Sequence, residues 1–332
     1  MSYGDYFMST TTIYFATNRK PNKSKPTKFG KGFAKTSLGD VRFGKANVTN
    51  GSLDKSSIMV LPDNSEKGSK VLFDDLRESM KVDKTDSLIF IHGFNVSFKE
   101  ALESAAEMGE CYSRVSENNY RPNIFVFSWP SDGKMTSYSN DRSDAEATGY
   151  AFARGIMKLS AFLKSTTPKA ACNQKVHLIA HSMGNYVLRY ALQQAGKIAG
   201  GESLSRIFDN IILTAADEDS DAFEFDYKLA RLPELAQRIT VYFNSGDLAL
   251  TISDYTKGNP DRLGHDGPNK PNEIPAKVVL VDASDVVSGI SEHSYHQDND
   301  KVARDIVSVL QGESSEKIKY REYIPHANKF RL

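Results

Sequence analysis

From residue 86 onward the chain alternates short, fully apolar runs with longer amphipathic stretches, and that alternation leaves few architectures open. The runs at 88–91, 124–127, 176–180, 211–213, 239–243 and 278–281 are rich in Val, Ile, Leu and Phe. Strands that are apolar at successive positions are buried on both faces. Between the first two, residues 97–112 carry Phe98, Ala101, Leu102, Ala105, Ala106, Gly109 and Tyr112 at helical spacing. Ser97 with Glu100 three residues on forms a capping box at the start of that helix. Further helices are expected over about 144–164, from 184 to about 195, and from about 299 to 310, the last with Val302, Ile306, Val309 and Leu310 on one face. The result is an α/β fold with a mostly parallel central sheet and helices on both faces. Such sheets bind ligands at the carboxyl ends of their strands, so chemistry is sought in the residues that follow each strand.

Composition narrows the class. The 332 residues are enough for one large domain or two ordinary ones, and with 39% apolar residues they can bury a core without disulfides or a structural metal. The 42 Lys and Arg balance 42 Asp and Glu, which argues against a nucleic-acid coat, where a basic excess is expected. Cys111 and Cys172 form no C-x-x-C pair, so neither a disulfide framework nor a zinc ribbon is expected. The start, MSYGDYFMSTTTIYF, lacks the basic and apolar regions of a signal peptide, and no run approaches 18 apolar residues. No transmembrane segment is expected, and the cytoplasm is the expected compartment. Residues 1–85 are polar and loop-rich, with strand-like pieces at 11–16 and 57–61, and read as an extension contributing the first strands. Residues 86–311 form the catalytic core and 312–332 a polar tail. Between 19 and 35 there are seven basic residues and no acidic one. That stretch reads as a solvated loop, since a phosphate or lipid patch would need interleaved aromatics or an amphipathic period.

The strand at 176–180 runs into Ala180-His181-Ser182-Met183-Gly184 and then a helix. A strand, a tight turn and a helix with serine at the apex is a nucleophile elbow, G-x-S-x-G, here with Ala180 as the first small residue. A helix-capping serine is the structural alternative. A nucleophilic serine needs a base and an orienting acid, in the chain order Ser, Asp or Glu, His. Asp247 follows the strand at 239–243, and His293 follows the next strand and a loop, which suits acid and base. Asp217 and Asp219 are competing acids, and His296 is a competing base. His181 is expected to pack rather than catalyse. Oxyanion donors are expected from the Met183 amide and, after the strand at 88–91, from the Phe94 amide, where Gly93 lets the backbone turn. His92 reads as a core histidine. There is no G-x-x-x-x-G-K-[ST], G-x-G-x-x-G or H-E-x-x-H, and His293 and His296 with Asp298 and Asp300 are too loosely spaced for a metal site.

The pieces HGFN (92–95), FSWPS (127–131), AHSMGN (180–185), AADEDSDAF (215–223), NSGDLAL (244–250) and HSY (293–295), with IYFATNRK (13–20), resemble a bacterial esterase/lipase-like α/β-hydrolase family, domain of unknown function 900. The resemblance runs to about Leu310. It implies the α/β-hydrolase fold and a hydrolase mechanism, with Ser182 at the nucleophile, Asp247 at the acid and His293 at the base; it implies no substrate. Ala180 departs from the glycine some members carry before the nucleophile.

A single-domain serine hydrolase follows as the expectation, cleaving a carboxylic ester, or a thioester or amide, of a small acyl substrate without metal or organic cofactor. The rival expectation is a catalytically silent α/β hydrolase serving as a binding module through residues 19–35 or 312–332. The stretches 129–144 and 253–275 are expected to overhang the site and set specificity. Neither is apolar enough for a lipid lid, which favours a small or polar substrate.

Overall fold

The computed structural model describes residues 9–25, 27–33, 40–62, 67–134, 137–167, 171–250, 261–287 and 293–332. Among them one sheet is built from β1 (Thr10–Thr17), β4 (Arg42–Thr49), β5 (Ser52–Leu53), β6 (Met59–Pro62), β7 (Ser87–Ile91), β8 (Asn123–Ser128), β9 (Val176–His181), β10 (Phe208–Thr214), β11 (Ala236–Phe243), β12 (Val278–Asp282), β13 (Glu322–Ile324) and β14 (Lys329–Arg331). Their order is β13-β14-β12-β11-β10-β9-β7-β8-β1-β4-β5, with β6 also on β4. From β14 across to β1 every neighbouring pair is parallel. The sheet turns antiparallel only at its margins, β13 on β14 at one and β4 with its partners at the other.

The chain leaves β7 for β8 on one side and then crosses to β9 on the other. This reversal is the topological switch point, and it sets the loops after β7 and β9 side by side. Side chains alternate between two cores. Leu88 and Phe90 face α2 (Phe98–Val115) and the helix Asp300–Leu310, while Ile89 and Ile91 face α1 (Lys67–Asp83), α3 (Tyr138–Ser165) and α4 (Gly184–Ile198). The capping box at Ser97 and Glu100 closes the start of α2, as its sequence predicts.

Three regions differ from the reading of local pattern. α3 begins at Tyr138 rather than near 144, so part of the stretch expected to overhang the site is helical. Its polar first turns are held by tertiary bonds: Asp141 is fully buried and accepts from Ser131 Oγ and from the Asp132 amide at 2.9 Å. Residues 135, 136 and 253–260 of the two expected specificity stretches lie outside the described residues. The basic stretch contains β2 (Arg19–Pro21) and β3 (Phe29–Phe33), which pair antiparallel, and its first residue, Arg19, is buried; residues 26, 34 and 35 lie outside the description. Finally, residues 312–332 carry β13 and β14, and Arg321 pins them to the last helix through a buried 2.7 Å pair with Asp305.

Candidate active site

β9 ends at His181, and Ser182 turns the chain into α4 with φ +53°. An L residue in the left-handed region is strained by roughly 1–2 kcal/mol, so the surroundings must hold it there. They do so through the main chain. The Ser182 amide donates to Thr214 O at 3.0 Å, and Ser182 O accepts from the Asn185 amide at 3.0 Å and the Asp217 amide at 3.3 Å. Asn185, fully buried, adds its side-chain Nδ2 to Ala180 O and Ser182 O, both at 3.0 Å. The small residues of the motif have a measurable reason. A Cβ on Gly184 would lie 2.5 Å from Ile91 O, and one on Gly93 would lie 2.9 Å from Ser182 Cβ. The switch point therefore presses the β7 loop against the turn after β9, and only glycine fits at both contacts.

The β7 loop is clamped by side chains from two distant segments, 129–131 and Arg19. Trp129 stacks on His92 with centroids 5.2 Å apart and donates Nε1–H to His92 O at 2.8 Å. The Trp129 amide donates to His92 Nε2 at 3.2 Å, so Nδ1 carries the proton and donates to Gly93 O at 2.9 Å. Burial pushes the His92 pKa down to about 3, which keeps it a neutral core residue. Asn95 has φ +61°. Beyond it, the Val96 amide donates to Ser131 Oγ at 3.1 Å, and Val96 O accepts from Arg19 Nη2 at 2.7 Å. The same guanidinium donates to Ser128 Oγ at 3.0 Å and Ser131 O at 3.1 Å. The Phe94 amide is thus carried on a loop held before it at His92 by Trp129 and beyond it at Val96 by Ser131 and Arg19, and the Met183 amide stands at the start of α4. Helix-start amides lack intrahelical acceptors and lie at the positive end of the helix dipole.

After β11, the Asn244 side chain accepts from the Gly246 amide at 2.9 Å and tightens the turn that presents Asp247. Asp247 is buried, and its Oδ1 accepts from the amides of Ala249 at 3.1 Å and Leu250 at 3.3 Å. Its Oδ2 accepts from His293 Nδ1 at 2.7 Å. The proton on Nδ1 leaves Nε2 with a free lone pair, the tautomer a general base requires. Tyr295 fixes the histidine loop by accepting from the Ala215 amide at 2.7 Å and donating to Tyr242 O at 3.0 Å.

The alternative acids and base have different surroundings. Asp217 lies beside the elbow, but its carboxylate accepts from Tyr138 Oη and lies 3.5 Å from Arg262 Nε. Asp219 pairs with Arg262 at 2.8 Å and Lys228 at 2.9 Å. His296 is buried and packs its ring 4.5 Å from that of His181, and neither of its nitrogens has a hydrogen-bond partner among the described residues. Burial pushes its pKa down to about 3. His181 donates Nε2–H to His293 O at 3.1 Å, and burial holds it neutral, well below the usual imidazole range. Arg19, Asn185 and Tyr295 escaped the motif reading. All three stand in the quoted pieces, Arg19 in IYFATNRK, Asn185 in AHSMGN and Tyr295 in HSY, and at Asn185 a polar side chain in an otherwise apolar first turn is the available signal.

Among the described residues no helix is long and apolar enough to cross a membrane. The uncharacterized protein alr1448 of Nostoc sp. (strain PCC 7120 / SAG 25.82 / UTEX 2576) is 28% identical over 126 residues, and the match spans 32% of this chain and 31% of that protein. Among solved structures, the acylaminoacyl peptidase of Pyrococcus horikoshii is similar over 86% of this chain and 49% of its own, with 11% identity and a TM-score of 0.36. The family described as "Alpha/beta hydrolase of unknown function (DUF900)" matches residues 69–310, most of the chain, and the chain belongs to it.

Proposed function

We propose that this chain is a serine hydrolase that cleaves a carboxylic ester through Ser182, His293 and Asp247. The observation that carries the reading is the 2.7 Å bond from His293 Nδ1 to a buried Asp247, in a molecule whose turn from β9 into α4 holds Ser182 at φ +53°. In the first half-reaction His293 Nε2 takes the proton from Ser182 Oγ as the oxygen attacks the acyl carbonyl. Asp247 holds the imidazole in the required tautomer and stabilises its cation. The developing oxyanion accepts from the Phe94 and Met183 amides, each contributing on the order of 3 kcal/mol to the transition state. Collapse expels the alcohol, which takes the proton from His293 and leaves an acyl-Ser182 ester. Water then repeats the sequence with His293 as base, releasing the acid and restoring Ser182. None of these steps calls on a metal or organic cofactor. The polar character of residues 129–134 and 261–275 favours a small or polar acyl substrate.

A fluorophosphonate probe tests the reading, because it phosphonylates only an activated serine. Labelling of the wild-type chain at Ser182, abolished in Ser182→Ala, is the expected result. A folded wild-type chain that neither reacts nor turns over p-nitrophenyl esters from acetate to palmitate would overturn it.

A further inference from the structure

The two faces of the sheet are packed unequally. On the α2 side Leu88 and Val126, in the middle of β7 and β8, are 0% exposed, while on the opposite side Ile89 and Phe125 retain 8% and 6%. That surface faces a space beside the sheet that is partly open to the outside. The space is a cavity of about 180 Å³ between the sheet, α1 and α3, walled by Phe43, Phe73, Phe125, Phe152 and Leu159. Interiors normally close such gaps, and an unfilled cavity is destabilising in proportion to its volume.

Two residues mark it as a site rather than a packing fault. Gly155 lines the cavity from the interior of α3, where glycine is a poor helix former. A Cβ there would meet nothing within 4 Å, so the residue leaves room that even alanine would reduce. Ser87 lines the cavity where β7 begins; it is 1% exposed, and its Oγ has no hydrogen-bond partner among the described residues. A buried hydroxyl without a partner is unfavourable and calls for one. This polar end lies at the amino ends of β7 and β9, whereas Ser182 follows the carboxyl end of β9, about 16 Å away at the rise of a strand.

We propose that the cavity is a second ligand site, separate from the Ser182 centre, for a small amphipathic molecule. An aromatic ring or short alkyl chain fills the apolar part, and one hydroxyl or carbonyl oxygen meets Ser87 Oγ. The size suits that class, since an apolar cavity of about 150 Å³ elsewhere holds a benzene molecule. The inference does not depend on the hydrolytic reading.

Two probes of matched shape test it, 4-methylphenol and toluene, with binding followed by titration calorimetry and by the thermal midpoint of the full chain. Both are expected to bind the wild-type protein and raise its midpoint. Gly155→Leu fills the space and weakens both roughly tenfold or more, about 1.4 kcal/mol, with an unchanged or higher midpoint of its own. Gly155→Ala, which adds one methyl, gives a smaller loss in the same direction. Ser87→Ala weakens 4-methylphenol and spares toluene, and Ser182→Ala changes neither. Absence of binding to the wild type, or binding indifferent to both Gly155 variants, would overturn the site. Loss of binding in Ser182→Ala would move it to the elbow, and equal losses for both probes in Ser87→Ala would remove the polar contact.

Discussion

The two ends of the parallel strands are built to different rules. At the carboxyl ends, three neighbouring strands are followed by non-glycine residues at positive φ: Asn95 after β7, Ser182 after β9 and Ala215 after β10. Each strained residue is bracketed by hydrogen bonds from buried side chains, Arg19 and Ser131 near the first, Asn185 at the second and Tyr295 at the third. At the amino ends, β7 and β9 begin on a cavity with apolar walls and the Ser87 hydroxyl, which has no partner among the described residues. Strain concentrates where atoms must be held at a fixed spacing, and open space is left at the end proposed to take a small ligand. Strain of this kind persists only when the surroundings over-determine it.

The contrast can be broken at the carboxyl ends. The largest expected effect is on turnover. Asp247→Asn keeps the fold but favours the wrong imidazole tautomer, and kcat should fall by roughly 10⁴-fold; a steady-state assay beside a thermal melt separates activity from stability. Arg19→Met comes next. It strips the Val96 and Ser131 carbonyls of their shared donor, and unsatisfied buried carbonyls should lower stability by about 3 kcal/mol, read from urea unfolding. Its surviving folded fraction should lose kcat more than it gains KM, because the Phe94 amide is displaced. An unchanged kcat would detach the clamp from the reaction.

A pH effect of intermediate size comes from His296. Its folded pKa is pushed down to about 3 by burial, below the value of about 6.5 for an unfolded imidazole. The unfolded chain therefore takes up the proton first. The stabilisation from keeping this ring neutral is complete above pH 6.5 and declines as pH falls toward 3. Between pH 6.5 and 5 the loss should be about 2 kcal/mol, from roughly 1.36 kcal/mol per pH unit. Denaturant midpoints for His296→Phe should show a flatter acid limb, with His92 and His181, which burial also holds neutral, contributing to the slope that remains. An equally steep acid limb would rule His296 out as its source. The smallest effect is the cleanest test of strain: Ser182→Gly should be inactive yet more stable by about 1 kcal/mol, since glycine adopts positive φ freely.

Much of this was legible along the chain, and the illegible parts share a cause. β7 to β12 announced themselves because a strand buried on both faces is apolar at every position, and the elbow because Ser182 stands between small residues at a strand-to-helix junction. α1 was passed over although Leu72, Phe73, Leu76 and Met80 form a stripe, because its many charged residues resemble a loop. β4, RFGKANVT, is only half buried and carries no continuous run. The first turns of α3 are polar, and their helical state rests on Asp141 reaching Ser131 and Asp132.

By itself, then, the sequence determined the α/β class, the parallel core from β7 to β12, and the residues following its strands, because burial and backbone turns leave local signatures at periods of two and 3.6. Only the tertiary structure decided which histidine meets Asp247, that Arg19 braces a loop 77 residues further on, and that one face of the sheet borders a cavity. Those outcomes depend on strand order and on hydrogen bonds between distant residues. Neither is written in any short stretch of chain.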